Sequence, residues 1–517
     1  MAPGDPYRWW SRADPPDLEH PMSTSTDGET YDLVIIGAGI AGIGAAYRAA
    51  ERDPSTRYVI LERRERVGGT WDLFRYPGVR SDSSIFTLSW TWEPWRGTQY
   101  VADGDKIRDY MEDAARKHGI LPHVRFHTTV TSADWDSETD TWTIQATENG
   151  RPKQYRTRFV FFGSGYYNYD QPHTPDFPGI DSFQGEVVHP QFWPENLDYS
   201  GKKVVVIGSG ATAVSLVPAL ARRAAHVTML QRSPGYLFAM HRENPVMTPM
   251  RKYLPQKVSY PVARGGALAI EKLIWWASRG APSLMKKVVR RQNTKLLPPG
   301  YPVDIDFKPR YQPWDERMCL VADGDVFEEI STGRLDIVTD HIDHFDATGI
   351  TLTSGKHLDA DIVVTATGLQ LQALGGVRIS KDGSEIKPNE RFSYKAHMLE
   401  DVPNLFWCIG YTNASWTLRA DITARSAAAL MDHMKRNRYT HAYPHMTGGP
   451  VAEKKTWDLQ AGYVQRSLNQ LPKSSTKRPW VVRQDYLADT IDHRFRDKID
   501  EDMVFGRVVQ RLQHVTA

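Results

Sequence analysis

The sequence of 517 residues has only two cysteines, Cys319 and Cys408, and they lie far apart. No CxxC or CxxxxC pair is present. The scarcity of cysteine argues against a disulfide framework, and the missing pair argues against a dithiol–disulfide reductase. Both observations favour a reducing compartment, and we therefore expect a cytoplasmic protein.

Long apolar runs and an excess of one charge are also missing. No run approaches the roughly 20 apolar residues that cross a bilayer, and the N-terminus lacks the apolar core of a secretory signal. Lys and Arg number 64 against 62 Asp and Glu, so nothing predicts a nucleic-acid partner. We predict no metal site. Residues 1–30 are expected to form a disordered tail, with Met22 as a possible second start.

A strand, a glycine turn, a helix and a second strand follow one another from Tyr31. The apolar run from Leu33 to Ile36 is typical of a buried parallel strand. Glycines in the turn would let a pyrophosphate approach the helix N-terminus, and Glu62 could accept hydrogen bonds from a ribose hydroxyl. The turn has the G-x-G-x-x-G spacing, with Gly37, Gly39 and Gly42. The whole pattern predicts a dinucleotide-binding unit.

The same pattern recurs from Lys202. Its turn carries Gly208, Gly210 and Ala213 at the same spacing. The second strand of this unit ends in Arg232, with no acid beside it. An acid would repel a 2′-phosphate, whereas an Arg can pair with it, so this unit is expected to bind NADPH rather than NADH.

Two dinucleotide units in one chain indicate an enzyme of the α/β class that uses FAD and NADPH. A late strand at residues 405–409, a glycine-containing loop and a helix are typical of the element that closes an FAD domain. We therefore expect two Rossmann-like domains. The FAD-binding domain would be discontinuous, with residues 31–165 and 370–517. The NADPH-binding domain would comprise residues 166–369, with a helical insert at about 236–310.

A short link precedes the second unit and has the form F-x-G-x-x-x-H-x-x-x-W-P. Its matching residues are Phe183, Gly185, His189, Trp193 and Pro194. In this motif the chain resembles the type I Baeyer–Villiger monooxygenases, and the resemblance extends over nearly all of the chain after about residue 31. The stretches "YQPWDERMCLVADGDVF", from Tyr311, and "GYTNASWTL", from Gly410, are similar to the ethionamide-activating monooxygenases of actinobacteria.

The resemblance implies roles for several residues. A loop of the family that packs along the flavin is matched by Gly68, Gly69, Trp71, Tyr76, Pro77, Gly78 and Asp82. In the family its Asp contacts an active-site Arg, which by position is Arg317. Asp82 and Arg317 are thus the candidate catalytic residues, with a structural ion pair as the alternative reading. His189 is implied to belong to a linker that relays domain motion, rather than to act as an acid or base. Glu316 stands where many relatives have Lys, so Arg232 is expected to dominate phosphate recognition.

The resemblance also implies a reaction. It is the insertion of one oxygen atom of O2 into a ketone through a C4a-peroxyflavin, which gives an ester or lactone, with sulfoxidation as a side activity. One alternative is a flavin monooxygenase that acts mainly on sulfur or nitrogen. A second is an uncoupled NADPH oxidase or regulatory flavoprotein without a productive pocket.

The helical insert carries an apolar set followed by a basic run. We interpret it as a helical lid packed on the NADPH-binding domain, with peripheral membrane contact or self-association as alternatives. The apolar set is Leu268, Leu273, Ile274, Trp275 and Trp276. The basic run is Lys286, Lys287, Arg290 and Arg291.

Overall fold

The first part of the chain folds as a parallel strand–helix–strand unit followed by an antiparallel meander. The computed structural model describes residues 29–244, 246–449, 451–495 and 499–508, so nearly all of the predicted tail lies outside the described residues. The elements of this part are β1 (Thr30–Ile36), α1 (Ile40–Arg52), β2 (Tyr58–Leu61), α2 (Thr70–Leu73), α3 (Ile85–Leu88), α4 (Gly104–Lys117), β3 (Val124–Arg125), β4 (Thr128–Asp136), β5 (Thr141–Glu148) and β6 (Arg151–Phe162).

Strand β1 is central because parallel strands flank it on both sides. It pairs with β2 on one side and with β6 on the other. Its last four residues are buried, as the continuous apolar run predicts. Helix α1 starts directly after the glycine turn and buries its Ala- and Gly-rich face. The carboxyl ends of these strands therefore face the glycine turn.

The middle part of the chain forms a second parallel sheet and the two long consecutive helices of the insert. Its elements are β7 (Glu186–Val188), β8 (Lys203–Ile207), α5 (Ala211–Ala221), β9 (His226–Gln231), β10 (Leu237–Met240), α6 (Met247–Tyr253), α7 (Gln256–Gly280), α8 (Pro282–Leu296), α9 (Val303–Asp306), β11 (Cys319–Ala322), α10 (Asp325–Ser331), β12 (Leu335–Thr339), β13 (Ile342–Asp346), β14 (Gly349–Leu352), β15 (His357–Asp359) and β16 (Ile362–Thr365). Within the described residues five of these strands pair in the order β12-β9-β8-β16-β7, all parallel.

The last part of the chain returns to the first sheet. Its elements are β17 (Arg378–Lys381), β18 (Ser384–Ile386), β19 (Ser393–Tyr394), β20 (Met398–Leu399), β21 (Leu405–Trp407), α11 (Trp416–Asn437), β22 (His441–Pro444), β23 (Glu453–Lys454), α12 (Gly462–Gln465), β24 (Ser474–Ser475), α13 (Tyr486–Phe495) and β25 (Met503–Gly506). Strand β17 pairs with β4, and β21 pairs with β6. Segments on either side of the middle part thus share one sheet, which has nine strands among the described residues.

The helical insert differs from the lid that the sequence suggested. Helix α8 contacts α10 of the second unit, but α7 contacts α3 of the first. Buried residues of α7, such as Tyr260, Ala263 and Ala267, belong to the core of the first unit. The insert therefore bridges both units. Its five named apolar residues also divide between two faces, because Leu273 and Trp276 are exposed whereas Leu268, Ile274 and Trp275 are half-buried.

Over the described ranges, no helix has both the length and the apolar character that a bilayer crossing requires. Cys319 and Cys408 are both buried and free.

Candidate active site

The first glycine turn packs so tightly that side chains cannot enter it. A Cβ at Gly42 would lie 1.9 Å from the carbonyl oxygen of Gly37, which itself has a positive φ of 98°. Only glycine is tolerated at such an approach, since any added atom would overlap the backbone. Helix α1 can therefore start directly at the end of β1, with its N-terminus open to a ligand.

Glu62 lies directly after β2 and closes this unit. Its Oε2 accepts a hydrogen bond from the Ala38 backbone N–H at 2.7 Å, and its Oε1 accepts one from Arg64 N–H at 2.9 Å. Burial raises the pKa of the carboxyl, against the lowering effect of those two donors. The two bonds fix the carboxylate at the rim of the glycine turn, where a ribose hydroxyl could reach its remaining lone pairs.

The second glycine turn repeats this geometry. Gly208 has a φ of 134°, and a Cβ there would lie 2.3 Å from the Ala366 carbonyl oxygen. Gly210 is the N-cap residue of α5, and Ala213 is fully buried one turn later. Arg232 follows β9 directly, as Glu62 follows β2.

Both turns open onto one cavity of about 830 Å³. This volume suits a large ligand or two adjacent ligands. The predicted residues that line it are Gly37, Gly39, Glu62, Gly68, Gly69, Trp71, Tyr76, Asp82, Gly208, Gly210, Arg232 and Arg317. The remaining predicted residues do not line the cavity. They are Gly42, Ala213, Pro77, Gly78 and the five motif residues of the link.

Asp82 and Arg317 meet in this cavity although 235 positions separate them. Arg317 Nη2 donates to Asp82 Oδ1 at 3.1 Å, and Arg317 Nε lies 3.1 Å from Asp82 Oδ2. This is the two-point geometry in which a guanidinium holds a carboxylate most firmly. The neighbouring Asp82 charge raises the pKa of Arg317 above its already high value. The guanidinium is therefore a permanent positive charge, and 31% of its side chain remains exposed.

Three tyrosines beside Arg317 were not predicted from the sequence. Tyr166, Tyr167 and Tyr463 line the cavity, and burial raises the pKa of each phenol, so all three stay protonated near neutrality. Tyr166 stacks on Trp416 with ring centroids 4.2 Å apart. The run "GYYNYD" begins at Gly165, three positions after the end of β6, and it indicates Tyr166 and Tyr167 because it follows the carboxyl end of a parallel strand. No local pattern marked Tyr463.

Arg232 and Glu316 both line the cavity at its second-unit end, together with Ser209 and Ser233. Burial raises the pKa of Glu316, and the charge of Arg232 opposes this shift. Among the described residues Arg232 has no ion pair within 4 Å, so its guanidinium is free to receive an anionic group.

The link with the motif residues runs along the second unit. Gly185 approaches the Asp361 carbonyl oxygen so closely that a Cβ would lie 2.4 Å from it. Phe183 packs edge-on against Phe345. His189 Nδ1 accepts a hydrogen bond from Gln191 N–H at 3.1 Å, and burial lowers the pKa of His189 to about 4. A neutral imidazole outside the cavity lining is poorly placed for acid–base chemistry.

Trp193 and Pro194 continue the link towards β8. Trp193 packs against the core of the second unit, and its ring lies 6.3 Å from that of Tyr199 in an edge-on arrangement. The role of the link in domain motion stays a prediction.

Unsatisfied polar atoms in the cavity indicate that it is built for a polar ligand. Ser164 Oγ and Thr417 Oγ1 are buried and have no hydrogen-bond partner in the described part of the chain, and both residues line the cavity. Buried hydroxyls are nearly always satisfied in folded proteins. These hydroxyls, the two glycine turns and Glu62 fit two dinucleotides such as FAD and NADPH.

Solved structures share this architecture. An oxidised steroid monooxygenase bound to NADP matches with a TM-score of 0.73 and 21% identity, over 92% of this chain and 100% of that one. An open form of cyclohexanone monooxygenase matches with a TM-score of 0.71 and 19% identity, over 92% and 99% of the two chains. At this level of identity the likeness concerns the fold.

Sequence relatives are more informative about the family. Residues 34–250 match the family model of the pyridine nucleotide-disulphide oxidoreductases. The FAD-containing monooxygenase EthA of Mycolicibacterium smegmatis is 46% identical over 92% of this chain and 96% of its own. EthA of Mycobacterium tuberculosis is 44% identical over 92% and 97%. The predicted resemblance is confirmed, and the chain belongs to the family of FAD-containing monooxygenases.

Proposed function

We propose that this monooxygenase binds FAD in its first unit and NADPH in its second. The FAD-binding domain would comprise residues 31–165 and 370–517, and the NADPH-binding domain residues 166–369. The pairing of β17 with β4 and of β21 with β6 supports the discontinuous first domain. Glu62 suits a ribose hydroxyl, and Arg232 suits a 2′-phosphate, since each lies directly after a strand beside its glycine turn.

We also propose that the substrate is a ketone, which is converted to an ester or lactone with one oxygen atom of O2, and that sulfides are oxidised as a side activity. The bound flavin would supply the redox chemistry and the activation of O2. The chain's own task is then to bind, to orient and to stabilise charge.

The observation that carries this proposal is the Asp82–Arg317 pair in the shared cavity. Oxygen transfer to a carbonyl carbon requires a nucleophilic, negatively charged oxygen, and a fixed cation stabilises that charge without reorganisation. Arg317 cannot lose its proton near neutrality, and Asp82 holds it at two points. Asp82 therefore acts by positioning the guanidinium.

The aromatic side chains beside Arg317 have a separate task, the exclusion of water. Tyr166, Tyr167 and Trp416 cover the cavity beside Arg317 with closely packed rings. Water exclusion strengthens the electrostatic effect of the guanidinium and suppresses wasteful release of hydrogen peroxide.

The test is NADPH consumption by purified, FAD-loaded protein with a methyl ketone, an aryl ketone and a thioether, combined with product identification. We expect ester formation from at least one ketone, and oxidation of the thioether at a lower rate. Oxidation of the thioether alone would favour the sulfur and nitrogen monooxygenases. NADPH consumption at one rate with or without substrate, with hydrogen peroxide as sole product, would favour an uncoupled oxidase.

A further inference from the structure

Helix α7 of the insert presents an apolar stripe to solvent. Val258, Val262, Ile270, Leu273 and Trp276 are 47%, 51%, 44%, 64% and 56% exposed. The other exposed positions between Val258 and Trp276 are Pro261, Gly265, Gly266 and Ala269. The stripe thus contains no charged side chain over a length of about 27 Å, at about 1.5 Å per residue. A stripe of this size on a soluble surface usually marks an interaction site.

The stripe continues onto the neighbouring helix. Leu284 and Val288 of α8 are 62% and 46% exposed, one helical turn apart. Helices α7 and α8 contact each other, and we treat their exposed apolar rows together. We call this surface, formed by the exposed residues of α7 and α8, the insert face.

The segment that carries the insert face is strongly basic. From Val246 to Gly300 the sequence has one acid, Glu271, whereas the whole chain has a net charge of only +2. The eleven basic residues of this segment are Arg251, Lys252, Lys257, Arg264, Lys272, Arg279, Lys286, Lys287, Arg290, Arg291 and Lys295. Even Glu271 is withdrawn from the face, because its carboxyl accepts hydrogen bonds from Ser84 and Thr87 of the first unit.

Acids of other elements offset only part of this charge. Asp485 pairs with Lys272, Asp315 with Arg279, and Asp304 with Arg290. Lys257, Lys287, Arg291 and Lys295 are exposed on or beside the face. An apolar stripe with a cationic rim is the pattern of helices that lie in the interface of an anionic membrane.

The opposite side of α7 is fixed to the body of the enzyme. Tyr260 Oη lies 3.0 Å from Ser89 Oγ, and Arg264 Nη1 donates to the Ser89 carbonyl oxygen at 2.9 Å. Ser278 Oγ donates to Met318 Sδ at 3.8 Å, next to Arg317 in the chain. The insert face is therefore a rigid platform close to the cavity wall.

We propose that the insert face is a docking surface for the headgroup region of an anionic lipid bilayer. The apolar side chains would enter the acyl boundary, and the basic rim would pair with lipid phosphates. A second copy of the chain is a poorer occupant, since a two-fold contact would bring two strongly basic segments together. The surface would hold the enzyme where apolar substrates dissolve.

The test is flotation of full-length, FAD-loaded protein with two kinds of vesicle, pure phosphatidylcholine and phosphatidylcholine with about one third phosphatidylglycerol. We expect flotation with the anionic vesicles, at least about ten-fold weaker partition to the neutral ones, and weakening by salt. Absence of flotation with anionic vesicles would overturn the proposal, as would equal partition to both kinds.

Two variants separate the contributions of the face. Leu273→Asp combined with Trp276→Asp should reduce partition about ten-fold or more, and so should Lys287→Glu combined with Arg291→Glu. The matched control for the charge variant is Arg378→Glu with Lys387→Glu, which changes the net charge as much as that variant does, at exposed positions of the β17–β18 region, and should leave flotation unchanged. Equal partition of all variants would contradict the assignment. A concentration-dependent dimer that Leu273→Asp abolishes, without any vesicle binding, would assign the face to a second copy instead.

Discussion

At the scale of single residues, opposite charges share the second-unit end of the cavity. Arg232 is exposed and ready for an anion, while the half-buried Glu316 contributes a competing carboxylate. The two side chains should therefore act in opposite directions on a 2′-phosphate and hardly at all on a cofactor that lacks it.

We predict that Arg232→Ala raises the KM for NADPH by about ten- to a hundred-fold, the worth of a charge-assisted hydrogen bond, and barely changes that for NADH. Glu316→Gln should lower the KM for NADPH because it removes the repulsion. Steady-state kinetics with both cofactors measure these changes, with Glu328→Gln on the exposed side of α10 as the control. Equal effects of Arg232→Ala on the two cofactors would contradict the 2′-phosphate assignment.

Local patterns predicted those side chains that stand at the ends of strands. Glu62 and Arg232 are each placed by the spacing of their own strand–turn–helix–strand unit, so about thirty residues of sequence sufficed for each position. Tyr463 comes from α12, far along the chain, and reaches Arg317 only through tertiary packing. No local periodicity marks a contact of this kind, and the sequence therefore did not predict the position of Tyr463 beside Arg317. The Asp82–Arg317 pairing was expected from the family resemblance rather than from spacing.

At the scale of elements, Glu271 couples α7 to α3 through a buried carboxyl. Its Oε1 accepts hydrogen bonds from Ser84 N–H at 3.3 Å and Thr87 Oγ1–H at 3.1 Å, whereas its buried Oε2 has no partner among the described residues. Burial raises the pKa of Glu271 to about 7. The folded protein therefore keeps this proton to a higher pH than the unfolded chain does.

This shift gives a signed pH dependence. As the pH rises from about 4.5 to about 7, the unfolded chain has lost the Glu271 proton and the folded chain still holds it, so folding stability falls through that window. Glu271→Gln should remove this loss and stabilise the protein by on the order of 2 kcal/mol at pH 8, but not at pH 4.5. Thermal melts at the two pH values test this, with Glu328→Gln as the control. An equal effect of Glu271→Gln at both pH values would contradict the shift.

The elements of the insert were only partly predictable. Apolar and basic composition indicated amphipathic helices, which α7 and α8 are. The side of α7 that is buried depends on α3, whose residues come from a distant part of the sequence. For this reason the apolar residues that composition grouped together divide between the core and the solvent.

At the scale of the whole molecule, an ion pair joins the two units beside the cavity. Arg80 precedes Asp82 in the first unit, and its Nη2 donates to Oδ1 of Asp325 in α10 at 3.2 Å. The side chains are only 7% and 11% exposed. Buried ion pairs add little net stability, but removal of one partner leaves the other charge buried and unpaired.

A double-mutant cycle should reveal this contact. We expect Arg80→Ala to lower the free energy of unfolding by about 3 kcal/mol and Arg80→Ala with Asp325→Asn to recover part of that loss. Urea unfolding of the two single variants and the double variant measures the coupling. Additive losses would mean that the two units are not held together by this pair.

The presence of two similar units was predictable because each unit has its own local sequence pattern. Two glycine fingerprints indicated two parallel units, and the five-stranded sheet and the strands around β1 have this form. The relative placement of the units depends on contacts such as Gly78 against α5, where a Cβ would lie 2.3 Å from the Ser215 carbonyl oxygen. Because no shared sequence pattern links the residues in such contacts, the relative placement of the units could not be predicted.

The most direct test of the proposed role of Arg317 is the rate of ester formation by the Arg317→Ala variant, measured together with the FAD content of that variant. We expect a yellow, FAD-loaded protein whose rate of ester formation falls by about 100-fold or more. Arg310→Ala, at an exposed position of the same segment and outside the cavity lining, should keep the normal rate. If the Arg317→Ala variant still forms ester at the rate of the unmodified enzyme, the proposed role of Arg317 is contradicted.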